Sequence, residues 1–153
     1  MTSETIRDPA ADHLLTPQNS AFVVIDYQPV QVNSIASMDR QLLINNIVGA
    51  AKAAVAYGLP IIHSTVNVQT GLNQPPIPQL RKVLAGYPTI DRTTINSWED
   101  VEFHQAVQAT GRKKLIMTAL WNWQRSDTVP AFIDLFVSTG GTAGIQFSYD
   151  RAE

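Results

Sequence analysis

The sequence predicts an α/β protein with a three-layer αβα, Rossmann-like parallel sheet. The run 21–25 is continuously apolar, which is typical of a strand buried on both faces. The runs 61–66 and 115–120 are predicted to be two further strands of the same sheet. A helical pattern over 39–57 separates the first two runs. Because this strand–helix–strand order is the signature of a right-handed parallel unit, we expect a parallel sheet covered by helices.

The first strand is expected to end just before Asp26. The apolar run 21–25 gives way to Asp26, and Pro29 follows three residues later. Proline has no N–H to donate to a sheet ladder, so the strand cannot simply continue. Asp26 is therefore predicted at the carboxyl end of the strand or in the loop after it.

The following segment, about 39–57, is predicted to be the first helix because its apolar residues recur at helical spacing and alanine is frequent. Gly58 is expected to end it in the C′ position, and Pro60 prevents a restart. The second strand, 61–66, comes next. The apolar residues at helical spacing are Leu43, Ile47, Ala50 and Ala54.

The middle of the chain is rich in turn-forming residues. The stretch 68–78 contains glycine, asparagine and three prolines, which is typical of an ordered loop over a site. A short helix is predicted over about 78–84. The segment 89–94 could form a short strand or an extended approach to the next helix.

The pattern Ser97–Asp100 predicts the start of the next helix, with Ser97 as the N-cap of a capping box. Gly111 is expected to end this helix, and the third apolar run, 115–120, follows as a strand. After Trp121 the alternation breaks, although 128–137 could form one helix. The predicted buried residues of the helix are Val101, Phe103, Ala106 and Val107.

The composition limits the class of protein. With 153 residues, 44% apolar and 16% charged, the chain fits one globular domain, 1–153. A net charge of −2 gives no field to attract nucleic acid or anionic lipid. No apolar run reaches the roughly 18 residues of a membrane span, and the polar, acidic stretch 1–12 does not resemble a signal peptide. We therefore expect a cytoplasmic protein without nucleic-acid or membrane partners.

Two charged residues are candidates for chemistry because ligands of parallel sheets bind at the carboxyl ends of the strands. Asp26 could be a general base or charge partner, or it could form only an Asx turn. Arg92 could present a fixed cation to the same crevice, or it could be a solvated surface arginine. Lys113 and Lys114 precede their strand, so we expect them at the opposite edge.

Metal and phosphate sites are not indicated. His63 falls inside a predicted strand, where a structural histidine is more common than a ligand. The three histidines have no metal-ligand spacing, so we expect no metal and no cofactor. The glycine-rich stretch Gly140–Gly144 follows no strand and lacks a lysine, unlike a phosphate-binding loop.

Three segments together resemble the isochorismatase-like cysteine hydrolases, and within them the YcaC-related subgroup. They are Val23–Gln28, Ile90–Trp98 and Gly111–Leu120, and the resemblance runs in register from about Ala10 to Trp121. It implies a three-layer αβα fold, a homo-oligomer, and hydrolysis of a small molecule with an amide or related bond.

The resemblance also implies a catalytic triad of aspartate, lysine and cysteine, in which the thiolate attacks a carbonyl and the aspartate moves the proton. Asp26 matches the aspartate. Arg92 falls where most members have lysine, and because arginine does not give up a proton it can act only as an electrostatic partner. Gln28, Asn96 and Trp98 are candidates for lining the substrate pocket.

The third member of the triad has no counterpart, because the sequence contains no cysteine. The family carries its cysteine in a turn just after the strand that matches 115–120. Here the chain runs into Trp121, and 124–151 resembles the C-terminal tail of the same subgroup. An internal deletion near 121–123 is therefore predicted, of about 30 residues or more for a strand–helix unit.

Three hypotheses account for the deletion. The sequence could belong to a longer hydrolase from which a central segment is missing. The deletion could instead be real, leaving a catalytically inactive, oligomeric binding or interaction protein whose open sheet is covered by a partner chain. Finally, Asp26 could act directly on water, although no second acid–base group stands at the right strand ends. A small-molecule hydrolase is the preferred interpretation.

Overall fold

A parallel sheet of four strands is the framework of the part of the chain that the structure describes. The computed structural model describes residues 15–36 and 38–120. Its strands are β1 (Ser20–Ile25), β2 (Ile61–Val66), β3 (Thr89–Arg92) and β4 (Lys114–Thr118). Its helices are α1 (Pro29–Ser34), α2 (Arg40–Ala56), α3 (Pro78–Val83) and α4 (Val101–Ala109), with a 3₁₀ helix at Ser97–Glu99.

The strands lie in the order β3-β2-β1-β4, and all three neighbouring pairs are parallel. The predicted α/β class with a parallel sheet is thus confirmed. Because the carboxyl ends of parallel strands share one edge, the ends of β1, β2 and β3 meet there. Lys113 and Lys114 lie at the opposite edge, as predicted, since Lys114 pairs with Ser20 at the start of β1.

Helices cover both faces of the sheet, as the three-layer prediction requires. On one face, α2 and α3 pack against Phe22 and Val24 of β1. On the other face, α4 packs against Val23 and Ile25 through Phe103. All six residues of β1 are buried, which explains why this strand is continuously apolar rather than alternating.

Helix α2 follows the pattern predicted for 39–57. The Asp39 carboxylate accepts a hydrogen bond from the Leu42 N–H at 2.8 Å and so caps the first turn. Gly58 has φ +65°, the left-handed conformation that glycine adopts without steric cost at C′. Leu43 and Ile47 are buried against the sheet.

Helix α1 was not predicted from the sequence. It is only six residues long and begins at Pro29, where the fixed φ of proline suits the first helical position and its missing N–H leaves no helical hydrogen bond unmade. The proline that ends β1 therefore also starts a helix. This turns the chain away from the sheet edge directly after Asp26.

The predicted start of α4 was wrong. Ser97 does not cap this helix; it begins the separate 3₁₀ helix, and α4 begins at Val101. The Asp100 carboxylate accepts a hydrogen bond from the Phe103 N–H at 2.9 Å, so Asp100 is the N-cap. Val101, predicted to be buried, is 69% exposed, whereas Phe103 and Val107 are buried as predicted.

The last strand, β4, ends at Thr118, two residues earlier than predicted, and Leu120 is buried beyond it. The predicted helix 128–137, the deletion near 121–123 and the glycine-rich stretch Gly140–Gly144 lie outside the described residues. In the part of the chain that is described, no helix is long and apolar enough to cross a membrane.

The N-cap of α4 gives a stability prediction. Replacing Asp100 with alanine removes the acceptor for the Phe103 N–H, and we expect the free energy of unfolding to fall by about 0.5–2 kcal/mol. Urea denaturation followed by circular dichroism measures this. The matched control is Gln108→Ala, an exposed position inside the same helix, for which little change is expected. Equal effects of the two variants would contradict the assignment of Asp100.

Candidate active site

Asp26 stands at the carboxyl end of β1, as predicted. Its backbone N–H donates to the Ser64 carbonyl oxygen at 3.1 Å, so the pairing with β2 extends to this residue. Its φ is +59°, a conformation that is uncommon outside glycine and tolerated best by asparagine and aspartate. The chain leaves the sheet in a sharp turn here, and the carboxylate is 17% exposed.

Arg92 ends β3 and forms an ion pair with Asp26, with 2.5 Å between Nη2 and Oδ2. Its side chain has no exposed surface, so the solvated-arginine alternative is wrong. Nε donates to the Ser64 hydroxyl at 3.1 Å, and Nη1 donates to the carbonyl oxygens of Ile95, at 3.2 Å, and Thr94. These bonds fix the plane of the guanidinium and therefore its orientation towards Asp26.

The electrostatics of Asp26 are set by burial. Burial raises the pKa of its carboxyl above the ordinary value of an aspartate, and the charge of Arg92 opposes that shift only in part. Oδ2 is engaged by Arg92, whereas Oδ1 is buried and has no hydrogen-bond partner in 15–36 or 38–120. A carboxylate with one oxygen held and the other uncommitted is suited to accepting a proton.

Gln28 is completely buried just beyond Asp26. Its side-chain amide donates to the carbonyl oxygens of Val66, at 3.1 Å, and Gln74, at 2.7 Å, and its Oε1 accepts from the Val66 N–H at 3.0 Å. The amide therefore ties the loop 67–76 to the ends of β1 and β2. Gln28 shapes the edge of the site by holding backbone in place, and its polar atoms are already used.

Asn96 and Trp98, predicted as pocket residues, lie in the segment after β3. The Asn96 side chain accepts from the Trp98 N–H at 3.1 Å and donates to Glu99 at 3.3 Å, so it caps the 3₁₀ helix. Trp98 is buried and meets Phe103 and His104 edge-on, with ring centroids 6.4 and 4.7 Å away. Both residues support the backbone that supplies Arg92 with carbonyl acceptors.

Ser64 was missed by the sequence reasoning. It lies on β2 between the strands of the ion pair and orients Arg92 through its hydroxyl. A hydroxyl at a position predicted to be a buried strand was the available signal, because a buried polar side chain needs a partner. In the described ranges, no group of three histidine, aspartate or glutamate side chains could hold a metal ion.

The sequence is similar to a known protein family and to a curated hydrolase. The sequence pattern of a family described as "Isochorismatase domain" matches residues 20–121. "Probable hydrolase YcaC" of Escherichia coli strain K12 is 30% identical over 107 residues, which cover 69% of this chain and 51% of that protein. The chain thus spans about half the length of this curated relative.

The structure is also similar to solved structures of YcaC proteins and of an isochorismatase. A Pseudomonas aeruginosa YcaC with hexane-2,5-diol and covalent acrylamide has a TM-score of 0.73 and 26% identity, over 92% of this chain and 65% of that chain. The Escherichia coli YcaC structure, described as an octameric hydrolase of unknown specificity, has a TM-score of 0.63 and 29% identity, over 76% of this chain and 54% of that chain. An isochorismatase from Pseudomonas putida KT2440 shares the fold, with a TM-score of 0.67 and 20% identity. The match covers 88% of this chain and 72% of that chain.

The ion pair gives a pH-dependent stability prediction. Arg92→Met leaves the Asp26 carboxylate buried without its cation, and we expect a loss of about 3–5 kcal/mol in the free energy of unfolding at pH 7. Lowering the pH protonates Asp26 in the folded variant and removes the uncompensated charge. The loss relative to the parent protein should therefore shrink as the pH falls from 7 towards 4.

The control for this measurement is the double variant Asp26→Asn with Arg92→Met, which has no buried charge at the pair. Urea denaturation at several pH values should give it a smaller loss than Arg92→Met at pH 7, and a difference from the parent that varies less with pH. A loss in Arg92→Met that is constant from pH 7 to pH 4 would contradict the proposed electrostatic origin.

Proposed function

The chain belongs to the isochorismatase domain family, and on that premise we propose that Asp26 and Arg92 are the proton-transfer and cationic parts of a hydrolase site. The substrate class is a small molecule with an amide or a related C–N or ether-type bond. The buried ion pair at the carboxyl edge of the sheet carries this proposal, because it supplies a fixed cation beside an uncommitted carboxylate oxygen.

Asp26 is the proton carrier in this proposal. Its raised pKa moves the carboxyl towards the range in which it can both take and return a proton. In the family's chemistry, it would accept the proton of a thiol and later deliver it to the leaving amine. Arginine does not act as a proton donor or acceptor in catalysis, so the part of Arg92 is electrostatic: it keeps Asp26 oriented and balances its charge.

The nucleophile has to come from outside this sequence, since none of the 153 residues is a cysteine. We propose that it belongs to a segment that follows β4 in a longer form of the protein. β4 lies beside β1, so a residue just past the end of β4 would reach the same edge as Asp26. The single-domain organisation and the deletion near 121–123 remain predictions.

The alternative function is that of a catalytically inactive, oligomeric binding protein. The absence of cysteine from the sequence favours it, and the description of the Escherichia coli relative as octameric supports an oligomer. The remaining hypothesis, in which Asp26 activates water, needs a general acid as well. In the described part of the chain, the charged groups that pair at this edge are Asp26 and Arg92, and an arginine cannot serve as that acid.

Intact mass and thiol alkylation separate these functions on the protein purified from the cell that expresses it. A mass above 16.8 kDa with one thiol that reacts with iodoacetamide supports the complete hydrolase. A mass of 16.8 kDa without alkylation supports the binding protein, and light scattering should then find an oligomer. A stable monomer of that mass would contradict both.

The hydrolase assignment is tested by ammonia release from a panel of small amides. We expect Asp26→Asn to lower kcat/KM by roughly 10²–10⁴-fold, the usual contribution of an acid–base group, and iodoacetamide to abolish the activity. Asp39→Asn is the matched control, because Asp39 is exposed and caps α2. Activity that survives both alkylation and Asp26→Asn would exclude this site.

A further inference from the structure

A cavity lies on the other face of β2 and β3 from the ion pair. Its volume is about 380 Å³, within the range of roughly 300–1,000 Å³ that is typical of small-ligand sites. Adjacent residues of a strand point to opposite faces, so Asp91 faces this cavity while Arg92 faces Asp26. The loop after β2 and the end of α3 form the remaining walls.

His63 is the unusual residue of this cavity. It is only 3% exposed. Its Nδ1 lies 3.2 Å from the Thr89 hydroxyl, while its Nε2 is buried with no hydrogen-bond partner in the described ranges. Burial lowers the pKa of His63 to about 4, so the ring is neutral at pH 7. A buried polar atom without a partner is destabilising, and a hydrogen bond to a ligand oxygen would satisfy it.

Asp91 does not offer a binding group of its own. Its Oδ1 accepts from the Thr65 hydroxyl at 2.8 Å and the Val68 N–H at 3.1 Å, and its Oδ2 accepts from the Gln69 N–H at 2.8 Å. Burial alone would raise the pKa of Asp91, but these hydrogen bonds lower it overall. The carboxylate is therefore committed to shaping the loop, and its charge is compensated by three donors.

Arg81 gives the mouth of the cavity its charge. It lies on α3, it is exposed, and it lines the cavity. Across 15–36 and 38–120, the structure shows no salt bridge to it. The walls between the mouth and His63 are mostly apolar, formed by Pro75, Pro76, Leu84 and Tyr87.

We propose that this cavity binds a small carboxylate with an apolar, ring-sized body and one further polar oxygen. The carboxylate pairs with Arg81 at the mouth, and the oxygen hydrogen-bonds to Nε2 of His63 at the floor. The apolar body packs on Leu84 and the prolines between these two anchors. The site is separate from Asp26 and does not depend on the hydrolase proposal.

Three probes separate the two anchors: 3-hydroxybenzoate carries both groups, benzoate lacks the hydroxyl, and 3-hydroxybenzyl alcohol lacks the charge. Titration calorimetry on the full chain should show the tightest binding for 3-hydroxybenzoate. We expect Arg81→Gln to weaken it by roughly tenfold. Lys82→Gln, the neighbouring exposed residue that does not line the cavity, should leave binding unchanged.

The proposed hydrogen bond to Nε2 of His63 is tested by comparing 3-hydroxybenzoate with benzoate, which lacks the hydroxyl. In the parent protein, benzoate should bind roughly 2- to 10-fold more weakly than 3-hydroxybenzoate, the usual effect of losing one hydrogen bond. His63→Phe should abolish that difference. If this variant does not fold, the ring ¹⁵N signals of His63 in the parent protein give the same answer, because they should move with 3-hydroxybenzoate and not with benzoate.

Two outcomes would overturn the proposal. One is that 3-hydroxybenzoate does not bind at millimolar concentration. The other is that it binds equally well to the parent and to Arg81→Gln. Weaker binding to Asp26→Asn, with Arg81→Gln unaffected, would instead assign the probe to the ion-pair edge. Unchanged binding in Asp26→Asn together with weaker binding in Arg81→Gln supports a separate site.

Discussion

The ion pair between Asp26 and Arg92 is the constraint on which the carboxyl edge of this sheet depends. Taking two charges out of water is expensive, and the attraction between them compensates only when the geometry is good and the other donors are satisfied. The structure meets this condition with the hydroxyl of Ser64 and two carbonyl oxygens for the guanidinium. The order β3-β2-β1 brings these groups together, since β2 stands between the two charged residues.

The surrounding loops are organised to hold that edge. The left-handed turn at Asp26 and the helix that starts at Pro29 lead the chain away from it. The Gln28 side chain hydrogen-bonds to the end of the loop after β2, and the Asp91 carboxylate accepts a hydrogen bond from the start of the same loop. One loop therefore forms a boundary of the ion-pair edge and a wall of the His63 cavity.

Much of this arrangement could be predicted from the sequence, and the exceptions have physical reasons. The continuous apolar run 21–25 identified β1, whereas for β3 the sequence does not decide between a short strand and an extended segment. The rule that ligands bind at the carboxyl ends of parallel strands made Asp26 and Arg92 candidates for the same crevice. The start of α4 was misassigned because serine and aspartate both cap helices, and the local sequence does not decide between Ser97 and Asp100. The part played by Ser64 depends on strand order, which a single strand does not encode.

The neighbouring charges of β3 restrict which insertions and deletions this chain can tolerate. Asp91 and Arg92 serve opposite faces only because side chains alternate along a strand. Inserting or deleting one residue upstream within β3 would exchange their faces, placing a carboxylate against Asp26 and a guanidinium against the loop amides. Both sites would be lost in one event, although each residue would still be present. The spacing of the two charged residues within this four-residue strand is therefore fixed.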